Sequence, residues 1–257
     1  MSVYLKRVYA GWGMYWAALI TLGSCLYAAI GVLSYQGLAY YTKGDVIYFL
    51  ILPRNDVINL FLPLIATLPA ASLCAEDRTR GYMSLILQRC GRKRYIAYRL
   101  GQAIIGASFA ATLGLIAYFS IVYALSPYTS AIDNLESFKS YRSLILSACA
   151  LPLALDTVFR VALSAATWAV VGVGFAAFLG EVQAILATVI TYYFVSQLLV
   201  GSALNDWMPQ RVQMPDIFTW APLWKYSLRQ MVELLLALVF GGGCLYGALG
   251  KRGAMRP

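Results

Sequence analysis

Six long apolar runs set the pattern of this chain, at about 13–34, 57–75, 100–124, 158–179, 182–204 and 227–249. A helix of roughly 20 residues rises far enough to cross a hydrocarbon core of about 30 Å. The pattern predicts an all-α polytopic membrane protein, with six transmembrane helices forming one membrane domain over 1–257. Lys6 and Arg7 precede the first run, and Tyr4, Tyr9, Trp12, Tyr15 and Trp16 cluster at its start. That run is longer than the 7–15 residues of a signal-peptide core, so an uncleaved first helix is expected. Pro63 and Pro69 interrupt the second run, predicting a kinked helix. Gly101, Gly106, Ala107, Ala110, Ala111 and Gly114 give the third run small residues for close packing.

The intervals differ in kind. Ser143–Leu155 is apolar but short and carries Pro152, which predicts a re-entrant or interfacial segment before the fourth helix. Asn205–Tyr226 holds Trp207, Trp220 and Trp224 with Pro209, Pro215 and Pro222, and predicts a second interfacial segment before the sixth. Asp156 and Arg160 are four apart and able to pair along a helix.

Composition supports the membrane reading. The chain is 61% hydrophobic and 12% charged with a mean hydropathy of +0.69, where soluble domains carry about 25% charged residues. The net charge of +9 is unevenly placed. With both termini cytoplasmic, twelve basic and three acidic residues fall inside, and eight of each fall outside. This is the positive-inside bias, and it accounts for the charge without nucleic acid. A multi-pass protein of a plasma membrane, bacterial in type, is expected.

The chain has no histidine, which removes His-based acid/base work and Ser-His or Cys-His nucleophiles. It also argues against most zinc sites. Cys25, Cys74, Cys90, Cys149 and Cys244 are scattered, without a CxxC, and give no disulfide framework or metal site. No G-x-x-x-x-G-K-[ST] and no G-x-S-x-G occur. No catalytic residues, metal or cofactor are expected on this chain.

The most distinctive interval is Glu76–Arg99, which carries seven of the twenty Lys and Arg. Asp77 or Thr79 is able to cap a short helix whose apolar residues are Tyr82, Met83, Leu85, Ile86 and Leu87. Cys90-Gly91 ends it, with glycine suited to a left-handed C′ position. Arg92-Lys93-Arg94 returns the chain to the membrane. Such a helix has two resting places: lipid headgroups, or a groove on a cytoplasmic partner.

Glu76, Gly81, Leu85-Ile86-Leu87, Arg92, Arg94 and Tyr95 together resemble the loop between the second and third helices of six-helix, type-2 ABC transporter permeases. In place of the family's Pro-Ser or Pro-Leu turn stands Cys90-Gly91. The resemblance implies that Tyr82–Gln88 is a coupling helix seated in a cleft of a separate ATPase subunit. Gly81, Tyr82, Met83, Leu85, Ile86, Leu87, Arg92 and Arg94 would form the docking set, with Glu76 and Asp77 linking it to the second helix. Val3–Trp12 would be an interfacial helix and Glu181 a second cytoplasmic contact. ATP and Mg²⁺ would belong to the partner, and the chain would pair with a second copy or a homologous permease. The implied activity is export of a hydrophobic or amphipathic substrate: a peptide, a lipid-linked molecule or a drug-like one.

Polar groups inside the runs are the remaining candidates. Arg229 and Glu233 are four apart in the sixth and suited to pairing. Gln183, Gln197 and Asn59 suit bonds between helices or a pathway. Two other functions share the six-span pattern: the substrate-binding membrane subunit of an importer, and a stand-alone membrane enzyme.

Overall fold

Proline and glycine placement decides how the apolar runs become helices. The computed structural model describes residues 11–36, 56–79, 82–125, 150–200, 202 and 223–253. Among them the regular elements are all α-helical: α1 Trp12–Gln36, α2 Asp56–Thr67, α3 Ala71–Thr79, α4 Tyr82–Cys90, α5 Arg92–Leu125, α6 Ala150–Ala176, α7 Glu181–Leu199 and α8 Leu223–Gly253. Parts of α1, α5, α6, α7 and α8 are long and apolar enough to cross a membrane, while α2 is apolar but shorter. By that measure this is a helical, multi-pass membrane protein.

The run at 57–75 is not one kinked helix but two helices. Pro69 has no N–H to offer Ile65, and its ring disfavours the helical conformation at Leu68. α2 therefore stops at Thr67, and the Ala70 N–H closes a tighter turn on the Thr67 carbonyl at 3.1 Å. Pro63, in contrast, stays inside α2. Two glycines admit the break into the bundle. A Cβ on Gly13 of α1 would lie 2.4 Å from the Leu68 carbonyl oxygen, and one on Gly172 of α6 would lie 2.4 Å from Thr67 Cγ2.

A second difference concerns 143–155. Residues 150–155 are not a separate interfacial segment but the start of α6. Pro152 falls in the first turn, where a helix has no use for its missing N–H. Residues 143–149 lie outside the described residues, as do Val3–Ala10, Gly81 and 205–222.

α6 is the most buried of the long helices and packs against α5, α8, α2, α7 and α3. Lipid tails supply no hydrophobic drive for helix association, so contact depends on close approach through small residues. α5 presents Ala103, Ala107, Ala110 and Ala111, all fully buried. α7 buries a stripe four residues apart: Ala184, Thr188, Tyr192 and Ser196. An added Cβ on Gly114 would meet Thr21 Cβ of α1 at 2.5 Å, and one on Gly241 would meet the Val170 carbonyl at 2.7 Å. Outward faces stay apolar, as with Ile190, Phe194 and Leu198 of α7 and Leu235, Leu236 and Val239 of α8.

Exposed aromatic side chains gather at the start of α1. Trp12 is 79% exposed and Trp16 56%, as aromatic residues are at an interface. Gly114 lies against Thr21, and Tyr118 faces Cys25, so α1 and α5 run side by side in the same direction. On that register Arg99 sits roughly two turns beyond Gly13. Consequently the last turn of α3, α4, the start of α5 and the end of α8 form one basic end, while the first turn of α3 stays in the core with Ala71 and Cys74 fully buried.

Gly172→Val should lower the thermal midpoint of the detergent-solubilised chain, because overpacking of this kind costs about 1–3 kcal/mol. Gly243→Val, where nothing lies within 4 Å of an added Cβ, should leave the midpoint nearly unchanged. Thermal unfolding of the two variants side by side checks the contrast.

Candidate functional site

At the basic end a single residue joins two helices. Gly91 has φ 72°, a left-handed conformation that side chains resist. Its N–H donates to the Leu87 carbonyl at 3.0 Å and closes α4. Its carbonyl accepts from the Tyr95 N–H at 3.1 Å and opens α5. The 34-residue α5 thus starts directly from the end of α4, with Arg92-Lys93-Arg94 as its first turn.

α4 is anchored by its own chain. Met83 is buried with Tyr95 of α5 and Leu249 of α8, and Ile86 and Leu87 pack half-buried against them. Much of the apolar face that the sequence left in search of a partner is therefore covered from within. Tyr82, Gln88, Arg89 and Cys90 are exposed, as are Lys93 and Arg94 just beyond. A cavity of about 180 Å³ opens between α4 and α5, lined by Ile86, Cys90, Arg94, Tyr95, Tyr98 and Arg99.

The link between α3 and α5 is a buried ion pair. The Asp77 carboxylate is 1% exposed and the Arg99 side chain 6%, and the two are in direct contact. Tyr95 Oη points at the same carboxylate oxygen at 3.5 Å, and Arg99 Nη1 donates to Gln102 Oε1 at 2.8 Å. Tyr95, Arg99 and Gln102 share one face of α5 through four- and three-residue spacings. Burying either charge alone would be costly, so the pair fixes both helices together.

A second clamp joins α5 to α8. The Arg92 guanidinium donates to the Tyr246 carbonyl and lies 3.9 Å from the Tyr246 ring centroid, a cation–π distance. Gly250 leaves room for it, since an added Cβ would sit 2.9 Å from Arg92 Nη2. Arg92 thus turns inward, while Arg94 faces out along the cavity rim.

The structure gathers Glu76, Asp77, Tyr82, Met83, Ile86, Leu87, Arg92 and Arg94 at this one end. Glu76 is half-buried on α3, and Gly81 and the Leu85 side chain lie outside what is described. Glu181 is exposed at the first turn of α7. Just before it, Gln183 Oε1 accepts the Gly180 N–H at 3.1 Å and caps the helix, so Gln183 is a capping residue. At the other end of the bundle Asp156 and Arg160 pair at 2.8 Å. Arg229 stands over the Tyr226 ring, 5.7 Å from its centroid, and Glu233 is half-buried four residues on. Ion pairs between described residues include Asp77–Arg99 and Asp156–Arg160.

Arg99, Gln102, Tyr246 and Gly250 were not among the residues the sequence singled out. Arg99 read as one more inside-facing charge. Its face-sharing with Tyr95 and Gln102 becomes visible only once α5 is extended back to Arg92.

Comparison with known protein families, characterised proteins and solved structures finds no match to this chain.

Asp77→Asn should destabilise the protein by about 3–5 kcal/mol, the usual cost of leaving one buried charge unpaired. The double variant Asp77→Asn with Arg99→Met should recover part of that loss. A double-mutant cycle on thermal midpoints reads both effects.

Proposed function

We propose that the protein is the membrane-spanning subunit of an ABC-type transporter, driven by ATP hydrolysed on a separate ATPase subunit. The observation that carries this reading is the construction of α4. It is a short helix beyond the apolar bundle, with an exposed outer side and two attachments behind it, Gly91 and the Met83–Tyr95–Leu249 core, while the Asp77–Arg99 pair joins the helices on either side of it. A push on its outer side passes to α3, to the long α5 and, through Arg92, to α8. A helix held only by lipid headgroups would need no such bracing.

On this reading the chain crosses the membrane six times, the second crossing being α2, the break at Pro69 and α3. The basic end is cytoplasmic, following the positive-inside rule. Tyr82, Arg89 and Arg94 face the ATPase, and Glu181 supplies the smaller contact. The chain works with a second permease copy or homologue, and ATP and Mg²⁺ remain on the partner. The movable part is the α2–α3 junction, where helical hydrogen bonding is already interrupted. The apolar bundle and its exposed apolar faces suit export of a hydrophobic or amphipathic molecule across a bacterial plasma membrane.

Two measurements test the reading. Co-expressed with its genomic neighbours, the solubilised chain should retain an ATPase subunit through purification, and Tyr82→Ala combined with Arg89→Glu should release it without altering the elution of the membrane subunit. Equal retention by this variant rejects α4 as the dock. Separately, Cys90 is the exposed cysteine of the basic end. In a chain keeping only Cys90, a membrane-impermeant maleimide should label it after permeabilisation and not in intact cells; labelling of intact cells reverses the orientation.

A further inference from the structure

The contacts that brace α4 leave the cavity between α4 and α5 unused. It measures about 180 Å³ and is lined by Ile86, Cys90, Arg94, Tyr95, Tyr98 and Arg99. Its walls are almost wholly apolar, although two arginines contribute to them. The reason is where the charged heads go. Arg99 turns away to Asp77 and Gln102, and Arg94 is exposed at the rim. Their methylene stems stay behind as wall, as long basic side chains allow.

Size and charge limit the occupant. Sites that enclose a whole small molecule run to about 300–1,000 Å³, so this one takes part of a molecule. Apolar walls offer a polar group nothing to bond, so the enclosed part is apolar. Among the described residues lining the cavity none is acidic. Asp77 neutralises Arg99, which leaves Arg94 as the charge at the rim. Arg89 and Lys93, next in the chain to Cys90 and Arg94, are exposed beside it. An apolar chain with an anionic head fits this arrangement. Position narrows the choice. The apolar stretch of α5 runs Arg92–Ile121, 30 residues, or about 45 Å of helix. That is the thickness of a bilayer with its headgroup layers, about 15 Å more than the hydrocarbon core. The first turns of α5, where the cavity lies, therefore reach into a headgroup layer, and there the anion at hand is acidic phospholipid.

We propose that the α4–α5 cavity is a binding site for an acidic phospholipid, holding part of one acyl chain between Ile86 and Tyr98 with the lipid phosphate on Arg94. Arg89 and Lys93 strengthen the preference for a negative headgroup. The lipid lies against Tyr95 and Arg99, the residues that tie α5 to α4 and α3. Arg94 serves two surfaces, its stem facing the cavity and its guanidinium bordering the side ascribed above to the ATPase. The site is independent of whether α4 docks an ATPase.

Cys90, which lines the cavity, reports on its occupancy. The full chain, keeping only Cys90 of its cysteines, is reconstituted without an ATPase into vesicles of phosphatidylcholine alone or mixed with phosphatidylglycerol. N-ethylmaleimide, small and uncharged, should label Cys90 on the order of tenfold more slowly when phosphatidylglycerol is present, the factor for a site about nine-tenths filled. Gln88→Cys in a chain with no other cysteine places the thiol on the exposed side of α4, outside the lining set, and should be labelled at one rate in both vesicles. Arg94→Gln, a change at an exposed position, should restore fast labelling of Cys90. Inorganic phosphate added to the phosphatidylcholine vesicles should leave Cys90 fast. Equal Cys90 rates in the two vesicles overturn the proposal, as does slowing that Arg94→Gln leaves intact. Equal slowing at Gln88→Cys assigns the effect to general surface charge and overturns it too. Protection by phosphate alone removes the acyl chain from the site. Protection that appears only with a bound ATPase gives the cavity to that partner's side chain, and either result rejects the lipid.

Discussion

The contact between Asp77 and Arg99 is the constraint on which the basic end depends. Both charges are withdrawn from water, and neither is tolerable there without the other. The pair sets how the end of α3 meets the first turns of α5, and with that it sets where α4 sits. Tyr95 serves twice: its hydroxyl points at the Asp77 carboxylate and its ring closes over Met83. The polar link and the apolar anchor therefore share one side chain, so α4 cannot shift without disturbing the ion pair.

The bundle itself holds together differently. In lipid, apolar side chains gain little by meeting one another, and stability comes from close fit. Gly13, Gly114, Gly172 and Gly241 each stand where a methyl group would strike a neighbour. Two of them surround the break after Thr67. An interrupted helix inside a membrane leaves backbone groups short of partners, and it persists only where it is buried in protein. Gly13 and Gly172 make that burial possible.

Two polar devices thus occupy opposite ends of one bundle. Asp77–Arg99, backed by Arg92 on Tyr246, ties α3, α5 and α8 together. Asp156–Arg160 is extended to α8 by Ser227 and Gln230. The first links α3 to α5, and the second links α6 to α8. The break after Thr67 lies between them.

Periodicity, hydropathy and charge placement were enough to read a helical membrane protein, the short helix after the second apolar run, and the glycine that ends it. These are local properties: a run of apolar residues, a Gly91 suited to positive φ, an Asp156 and Arg160 one turn apart. The sequence also placed Glu76, Asp77 and Tyr82–Leu87 in one region, since they are neighbours in the chain. It gave no means of seeing that Asp77 meets Arg99, that Met83 is covered by Leu249, or that Arg92 reaches Tyr246. Met83 and Leu249, like Arg92 and Tyr246, are separated by long stretches of chain, Asp77 and Arg99 lie on different helices, and in each case the partner is chosen by how the helices stack. Pro69 was legible as a kink, but its outcome as a full break depended on Gly13 and Gly172 admitting it. Arginines that look alike in sequence were sorted by tertiary structure into a buried pair, an inward clamp and an exposed rim, because burial, and not residue type, decides what a charge must do.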